Sequence, residues 1–404
     1  MQPPDGLIDV ARARRDTPGT RRIAHLNNAG AALPPTQVTE ATIAHLRAEA
    51  ELGGYEAAAA AVDQVEGTYS AIARLLGCDI DEIALVENAT RAWDMAFNAV
   101  SFQPGDRILT GRAEYASNVI ALLQVAARTG AVVEVIDDDD HGQISVDELR
   151  RSLVRRDAGP VRLIALTHVP TNGGLVNPAE EVGAVARRAG GPFLRDACQS
   201  VGQLPVDVDR IGCDLLSATG RKFLRGPRGT GFLYVRRSIL ERLEPPFLDL
   251  HAATWTAPDR FSVRPDARRF ENWERNYAAT IGLGVAVDYA LSWGIEAIEA
   301  RVSALATGLR ERLEAVEGVR VHDRGERRCG IVTFTIDGIP AQDVHRRLTE
   351  RGVNTSVSLV EHARLDLPGR GLSDLVRASV HYYNTDEELD QLLDALPTRS
   401  LTTG

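Results

Sequence analysis

The sequence predicts an α/β chain: a large domain on a mostly parallel seven-stranded sheet covered by helices, plus a small C-terminal α+β domain. Three observations carry this. From about residue 80 to 235, seven short apolar runs alternate with amphipathic stretches, the pattern of strands joined by crossover helices. After about residue 280 the pattern changes to two long helical stretches, followed by strands mixed with helices. Finally, 404 residues suggest two or three domains, and 44% hydrophobic with 25% charged is an ordinary globular composition with ample length to bury a core.

The seven runs are Ile83–Val86, Arg107–Leu109, Val132–Ile136, Leu163–Leu166, Pro192–Leu194, Leu215–Ala218 and Gly231–Val235. Continuous short apolar runs suit strands buried on both faces. Helical periodicity falls between them, as in Ser117–Ala127, Val146–Leu153 and Ala179–Arg188, and Ser145 with Glu148 has capping-box spacing. Further on, helices are expected over Ala278–Ser292, Ile295–Val316, Ala341–Arg351 and Asp386–Leu396, with strands at Ile331–Ile336, Val353–Ser358 and Leu375–Tyr383. The Pro-, Asp- and Arg-rich stretch 244–270 is expected to cross between domains. The division is a large domain over 20–260, with 1–19 and 261–404 forming the small domain and its connecting helices.

Composition excludes several classes. A net charge of −10 disfavours nucleic acid as a partner. The opening MQPPDGLIDVARARRD lacks the apolar core of a signal peptide, and no run of eighteen apolar residues follows, so a cytoplasmic protein without a membrane span is expected. Cys78, Cys198, Cys213 and Cys329 form no CxxC pair, and no metal site is expected. Asp137–Asp140 reads as a solvated turn, because Gly142 follows.

The most informative count is a single lysine, Lys222, beside 45 arginines. Arginine replaces lysine as a surface charge but not as an imine-forming amine, since its guanidinium stays protonated. The lone lysine therefore marks a position where an ε-amine is needed.

Lys222 lies in FLRDACQSVGQLPVDVDRIGCDLLSATGRKFLRGPRGTGFLYV, residues Phe193–Val235. A D-x-x-Q element after one strand, a small-hydroxyl-Gly-basic-Lys turn and a Gly-rich loop follow in order. This resembles the class V aminotransferase and cysteine desulfurase superfamily of fold type I enzymes dependent on pyridoxal 5′-phosphate (PLP), through nearly the whole chain. The resemblance implies that Lys222 holds PLP as a Schiff base and, once free, moves the substrate Cα proton. Asp196 would keep the pyridinium nitrogen protonated, and Gln199 would reach the ring's phenolic oxygen. Thr219 and Arg221 would contact the phosphate.

Other elements follow from the same likeness. Ala89 and Thr90, in Glu87–Thr90, open a helix after a strand and suit a phosphate. In Glu114–Asn118, which matches a family stretch with a stacking histidine, Tyr115 offers the aromatic ring, while strict alignment puts Ala116 at that position. Thr171 and Asn172, in HVPTNGG, fall near the ring oxygen or substrate. Arg377, in LVRASVHYYNT, would grip the substrate carboxylate. Asn28, in HLNNAGAALPP, falls at the substrate mouth. Asn276 and Tyr277, in FENWERNYAAT, fall where family members reach into a neighbour's phosphate site, so a homodimer with shared sites is expected.

The superfamily hosts several reactions on amino acids, and fold alone does not choose among them. Desulfurases carry a nucleophilic cysteine on a loop before the carboxylate-binding arginine. Here that loop, SVSLVEHARLDLPGRGLS (Ser356–Ser373), has none, and Cys198 reads as core packing. The GGYEAA run at Gly53–Ala58 and the region Ser356–Thr385 resemble isopenicillin N epimerase-like proteins and hercynylcysteine sulfoxide lyases. The favoured function is a PLP-dependent C–S lyase acting on an S-substituted cysteine or its sulfoxide. An aminotransferase or amino-acid epimerase is the alternative, and a non-catalytic PLP-binding protein stands behind both.

Overall fold

The computed structural model describes residues 8–155 and 157–397. The two longest helices before a seven-stranded sheet are α1 (Thr36–Leu52) and α2 (Val62–Leu76). Its strands are β1 (Ile83–Val86), β2 (Arg107–Gly111), β3 (Val132–Ile136), β4 (Val161–Thr167), β5 (Phe193–Asp196), β6 (Leu215–Thr219) and β7 (Gly231–Val235). Their spatial order is β1–β7–β6–β5–β4–β2–β3.

All neighbours are parallel except β7, which runs antiparallel to β1 and β6. The connection from Thr219 to Gly231 is too short for a crossover helix, so the chain must return antiparallel. That short connection is the turn that carries Lys222.

The sheet is buried on both faces. Along β4, Ile164 and Leu166 face one core and Leu163 and Ala165 the other. This is the period-two alternation of a strand, and it explains why the strands read as continuous apolar runs. The helices between strands are α3 (Ala89–Asn98), α4 (Ala116–Thr129), α5 (Val146–Leu153) and α6 (Ala179–Ala189). Trp93 and Phe97 of α3 cover one face, and Val182, Val185 and Ala186 of α6 the other. The capping box at α5 is only half formed. Ser145 Oγ accepts from the Glu148 amide at 3.2 Å, but the Glu148 carboxylate turns to Arg151 instead.

Helix α7 (Tyr277–Trp293) is buried along most of its length against α1 and α2, and α8 (Ile295–Glu314) leaves it at 78°. The small domain holds an antiparallel sheet, β8 (Val319–Val321), β9 (Ile331–Ile336), β10 (Ser356–Ser358) and β11 (Leu375–Ser379), in the order β8–β9–β11–β10. Helices α9 (Ala341–Glu350) and α10 (Asp386–Ala395) complete it. No single described helix is long and apolar enough to cross a membrane.

Three expectations are corrected. The strand expected over Val353–Ser358 is two pieces: Val353–Asn354 pairs parallel with Ala24–His25, and only Ser356–Ser358 joins the small sheet. The strand expected to reach Tyr383 stops at Ser379, because Asn384 Oδ1 accepts from the His381 amide at 2.7 Å and turns the chain. The stretch 244–270 does not span the domains. It forms an exposed hairpin pairing Trp255 with Phe261, then seats Ala267 and Phe270 in the large-domain core.

Candidate active site

A cavity of about 400 Å³ opens beyond the carboxyl ends of β4, β5 and β6, where open α/β sheets place their ligands. Lys222, Asp196, Gln199, Thr219, Arg221, Tyr115, Thr171, Ala89 and Thr90 line it together. Asn88, Thr167, Val169 and Cys198 line it as well. Cys198 is thus not core packing. Burial, followed by the neighbouring Asp196, pushes its thiol well above the usual range, so it is held protonated.

Asp196 ends β5 and is held from two sides. Its Oδ1 accepts from the Cys198 amide at 2.8 Å and its Oδ2 from Asn118 Nδ2 at 3.1 Å. Asn118 Nδ2 also donates to Glu114 Oε1 at 2.9 Å. Behind it, the buried Glu114 carboxylate accepts from the amides of Tyr115 and Thr167, each at 2.9 Å, and from the hydroxyls of Thr110 and Thr167. Burial raises its pKa, against these donors. Glu114 and Asn118 were missed as functional residues although both stand in the stretch that flagged Tyr115. Their spacing of four, at the entry to α4, was the available signal.

Lys222 is 7% exposed, and its Nζ lies 5.9 Å from the centroid of the Tyr115 ring. Burial lowers its pKa, opposed by Cys198 and Asp196 and aided by Arg221 and Arg377. A lysine shifted this way reaches the free-base form more easily, as imine chemistry and proton abstraction both require. Thr219 Oγ1 donates to the Thr230 carbonyl at 3.2 Å and accepts from Arg221 Nη1 at 3.1 Å. That fixes the guanidinium beside the amino end of α3. There Asn88 caps the helix by accepting from the Arg91 amide at 2.9 Å, and Ala89 and Thr90, at the helix start where amides lack intrahelical acceptors, line the cavity.

Arg377, on β11, abuts the cavity through the lining residue Thr171. Its Nη1 donates to Thr171 O at 3.1 Å and Thr171 Oγ1 at 2.8 Å, and its Nη2 to Asn27 Oδ1 at 3.3 Å. Its Nε is buried without a partner, and burial lowers its pKa to about 10. Gln199 Nε2 donates to Thr171 Oγ1 at 2.8 Å and Ala29 O at 3.0 Å, while its Oε1 is buried and unpartnered.

Four singled-out residues, Asn28, Asn172, Asn276 and Tyr277, lie elsewhere. Asn28 is fully buried, with its amide donating to His25 O, Ser379 O and Asn384 Oδ1 and its oxygen accepting from the Tyr383 hydroxyl. It has no atom left for a ligand and clamps the N-terminal segment to the small domain; its neighbour Asn27 is the one that meets Arg377. Asn172 donates to His362 O at 3.4 Å and ties the turn after β4 to the loop after β10. Tyr277 starts α7, packed near His45 and Arg275, away from the cavity of its own chain.

The orphaned Arg377 Nε and Gln199 Oε1, the amides of α3 and the buried Lys222 suit a ligand carrying an anion at one end and an electrophilic carbon near the amine. These residues fit PLP. Asp196 would meet its ring nitrogen, and Thr90, Thr219 and Arg221 would hold its phosphate. Among the described residues no group of three or more His, Cys, Asp and Glu is arranged to bind a metal.

Comparison with known proteins agrees. The aminotransferase class-V family matches residues 24–392. A probable cysteine desulfurase of Xylella fastidiosa is 32% identical across 96% of this chain and 95% of its own length. An apo cysteine desulfurase from Thermococcus onnurineus superposes with a TM-score of 0.88 at 26% identity, over 98% of this chain and 97% of that one. A cystine C–S lyase, solved with its reaction product cysteine persulfide, shares the fold at a TM-score of 0.83 and 24% identity, over 94% of this chain and 98% of that one.

Proposed function

The chain belongs to the aminotransferase class-V family and is a PLP-dependent enzyme, and from that premise we propose that it cleaves the C–S bond of an S-substituted cysteine or cysteine sulfoxide by β-elimination. On this reading it lies nearest the hercynylcysteine sulfoxide lyases and isopenicillin N epimerase-like proteins. The observation that carries the proposal concerns cysteine. The loop Ser356–Ser373, tied at His362 O to Asn172 beside the cavity-lining Thr171, contains no cysteine. Cys213 and Cys329 are buried, Cys78 lies away from this cavity beside Asp79 and Arg237, and burial pushes the Cys198 thiol well above its usual range, which disfavours a thiolate as persulfide carrier.

Arg377 grips the substrate α-carboxylate through Nε and Nη2, which sets the Cα–H bond toward Lys222. The bound cofactor supplies the electron sink that makes this proton removable. Lys222, with its depressed pKa, takes the proton as general base. Asp196, fixed by Asn118 and the Cys198 amide, keeps the sink in its protonated form. The Cβ–S bond then breaks with its electron pair going to sulfur, which leaves as thiolate or, from a sulfoxide, as sulfenate. The released three-carbon enamine takes up water to give pyruvate and ammonium. Neither a second amino acceptor nor a protein thiol is consumed.

Desulfuration of cysteine is the second reading, favoured by the names of the relatives and by Cys198 lining the cavity. Product analysis with S-substituted cysteines and with free cysteine, each with and without an added 2-oxo acid, separates the cases. Pyruvate with a released sulfur fragment, independent of 2-oxo acid, is expected. Alanine with a protein-bound persulfide would establish desulfuration, and amino transfer that depends on the 2-oxo acid would replace the lyase reading.

The assembly proposed is a homodimer with shared active sites. Asn276 and Tyr277 lie outside their own cavity, at the start of a helix reachable by a second copy, which supports this reading.

A further inference from the structure

Arg225 is the sole non-glycine residue at positive φ among the described residues, at 62°. An L-residue with a long side chain adopts this conformation only when its surroundings enforce it. Such strain gathers where a backbone path matters. The path here is the turn that carries Lys222. The Arg225 amide donates to the Lys222 carbonyl at 2.9 Å, and the Gly226 amide closes back onto Gly220 O at 2.8 Å.

What enforces it is the side chain. Arg225 is 1% exposed, and its guanidinium is divided among three parts of the chain. Nε donates to Leu33 O at 2.8 Å, Nη1 to the Tyr382 hydroxyl at 2.6 Å and Nη2 to Thr17 Oγ1. The rings of Tyr383, Tyr382 and Tyr289 surround it at 4.7, 5.2 and 5.6 Å. Among the described residues it makes no carboxylate contact, so the cation is stabilised by oxygens and aromatic faces. The same turn is held twice more from the same segments: Ala32 N donates to Arg221 O at 2.9 Å, and buried His381 Nε2 meets Phe223 O at 2.9 Å. Burial keeps His381 neutral. The N-terminal segment 17–33 and the residues after β11 also supply Asn27 and lead back to Arg377.

We propose that Arg225 is a positioning residue that sets the angle of Lys222 by locking its turn to the N-terminal segment and the small domain. The lysine is thereby aligned only when the segments that complete the carboxylate site are seated. The idea rests on Lys222 carrying the cofactor. Borohydride fixation of the parent protein at Lys222 tests that premise alone.

The test compares Arg225→Gly, Tyr382→Phe and the parent, each loaded with PLP. Glycine accepts the positive φ, so Arg225→Gly removes the anchor without adding strain. Tyr382→Phe removes one anchor contact and leaves the backbone untouched. The readouts are visible circular dichroism per bound cofactor, which reports fixed orientation, and kcat against KM. Arg225→Gly is expected to lose at least half of the normalised visible signal and tenfold or more in kcat, with KM within threefold. Tyr382→Phe is expected to move both in the same direction by less. Parental dichroism and kcat within twofold in both variants would overturn the proposal. If far-UV dichroism shows Arg225→Gly unfolded, Tyr382→Phe decides by the same criteria.

Discussion

Lys222 Nζ and the Tyr115 ring face one another at 5.9 Å across the cavity, the amine coming from the turn after β6 and the ring from the entry to α4. The pairing puts an aromatic face beside the only lysine in the chain.

Borohydride treatment of the PLP-loaded protein should therefore fix a pyridoxyl group on Lys222. Because it is the sole lysine, a lysine-specific protease should cut the untreated protein once and the treated protein not at all. Tyr115→Ala should weaken PLP binding about tenfold, in line with ~0.5–1.5 kcal/mol for an aromatic contact, and Tyr115→Phe should preserve it. Equilibrium dialysis measures both. A label confined to the N-terminal amine, or unchanged affinity in Tyr115→Ala, would remove the assignment.

Asp196→Asn should retain PLP and lose roughly 10²–10³-fold in kcat, the scale of removing one preorganised electrostatic group. Asn118→Ala should fall in the same direction by less, since the Cys198 amide still holds the other oxygen. Steady-state kinetics on loaded protein is the check, and near-parental turnover in Asp196→Asn would contradict its role.

Asp138 carries a pH signature. Burial and then the Asp366 carboxylate raise its pKa to about 6, against Arg324 and Arg112. A carboxyl raised on folding favours the native state at low pH, and that contribution is lost as pH rises from the unfolded value toward and through 6. Asp138→Asn cannot ionise, so its thermal midpoint relative to the parent should rise between pH 4 and pH 7. A difference independent of pH would show that Asp138 titrates normally.

Sedimentation at assay concentrations should show a dimer, and Tyr277→Ala should lower activity although Tyr277 is absent from its own cavity. A fully active monomer would end the shared-site proposal.

Much of this was legible in the residues. The seven buried strands announced themselves as apolar runs because both faces of the sheet are covered. Four residues singled out because chemistry demands one residue type, Lys222, Asp196, Thr219 and Arg221, line a single cavity. Asn28 was singled out, but its neighbour Asn27 is the residue that contacts Arg377. A sequence motif marks the segment, but which of two asparagines turns inward depends on packing against Ser379 and Tyr383.

The sequence by itself determined the fold class and the cofactor and singled out one lysine, because periodicity is local and an imine needs an amine. Only the tertiary structure decided that Glu114 stands behind Asp196, that Cys198 opens on the cavity, that Arg377 meets Asn27, and that Arg225 is strained and caged. Each of these is a contact between segments far apart in the chain. Local sequence carries no record of such contacts, because they are set by burial and by the obligation of every buried polar group to find a partner.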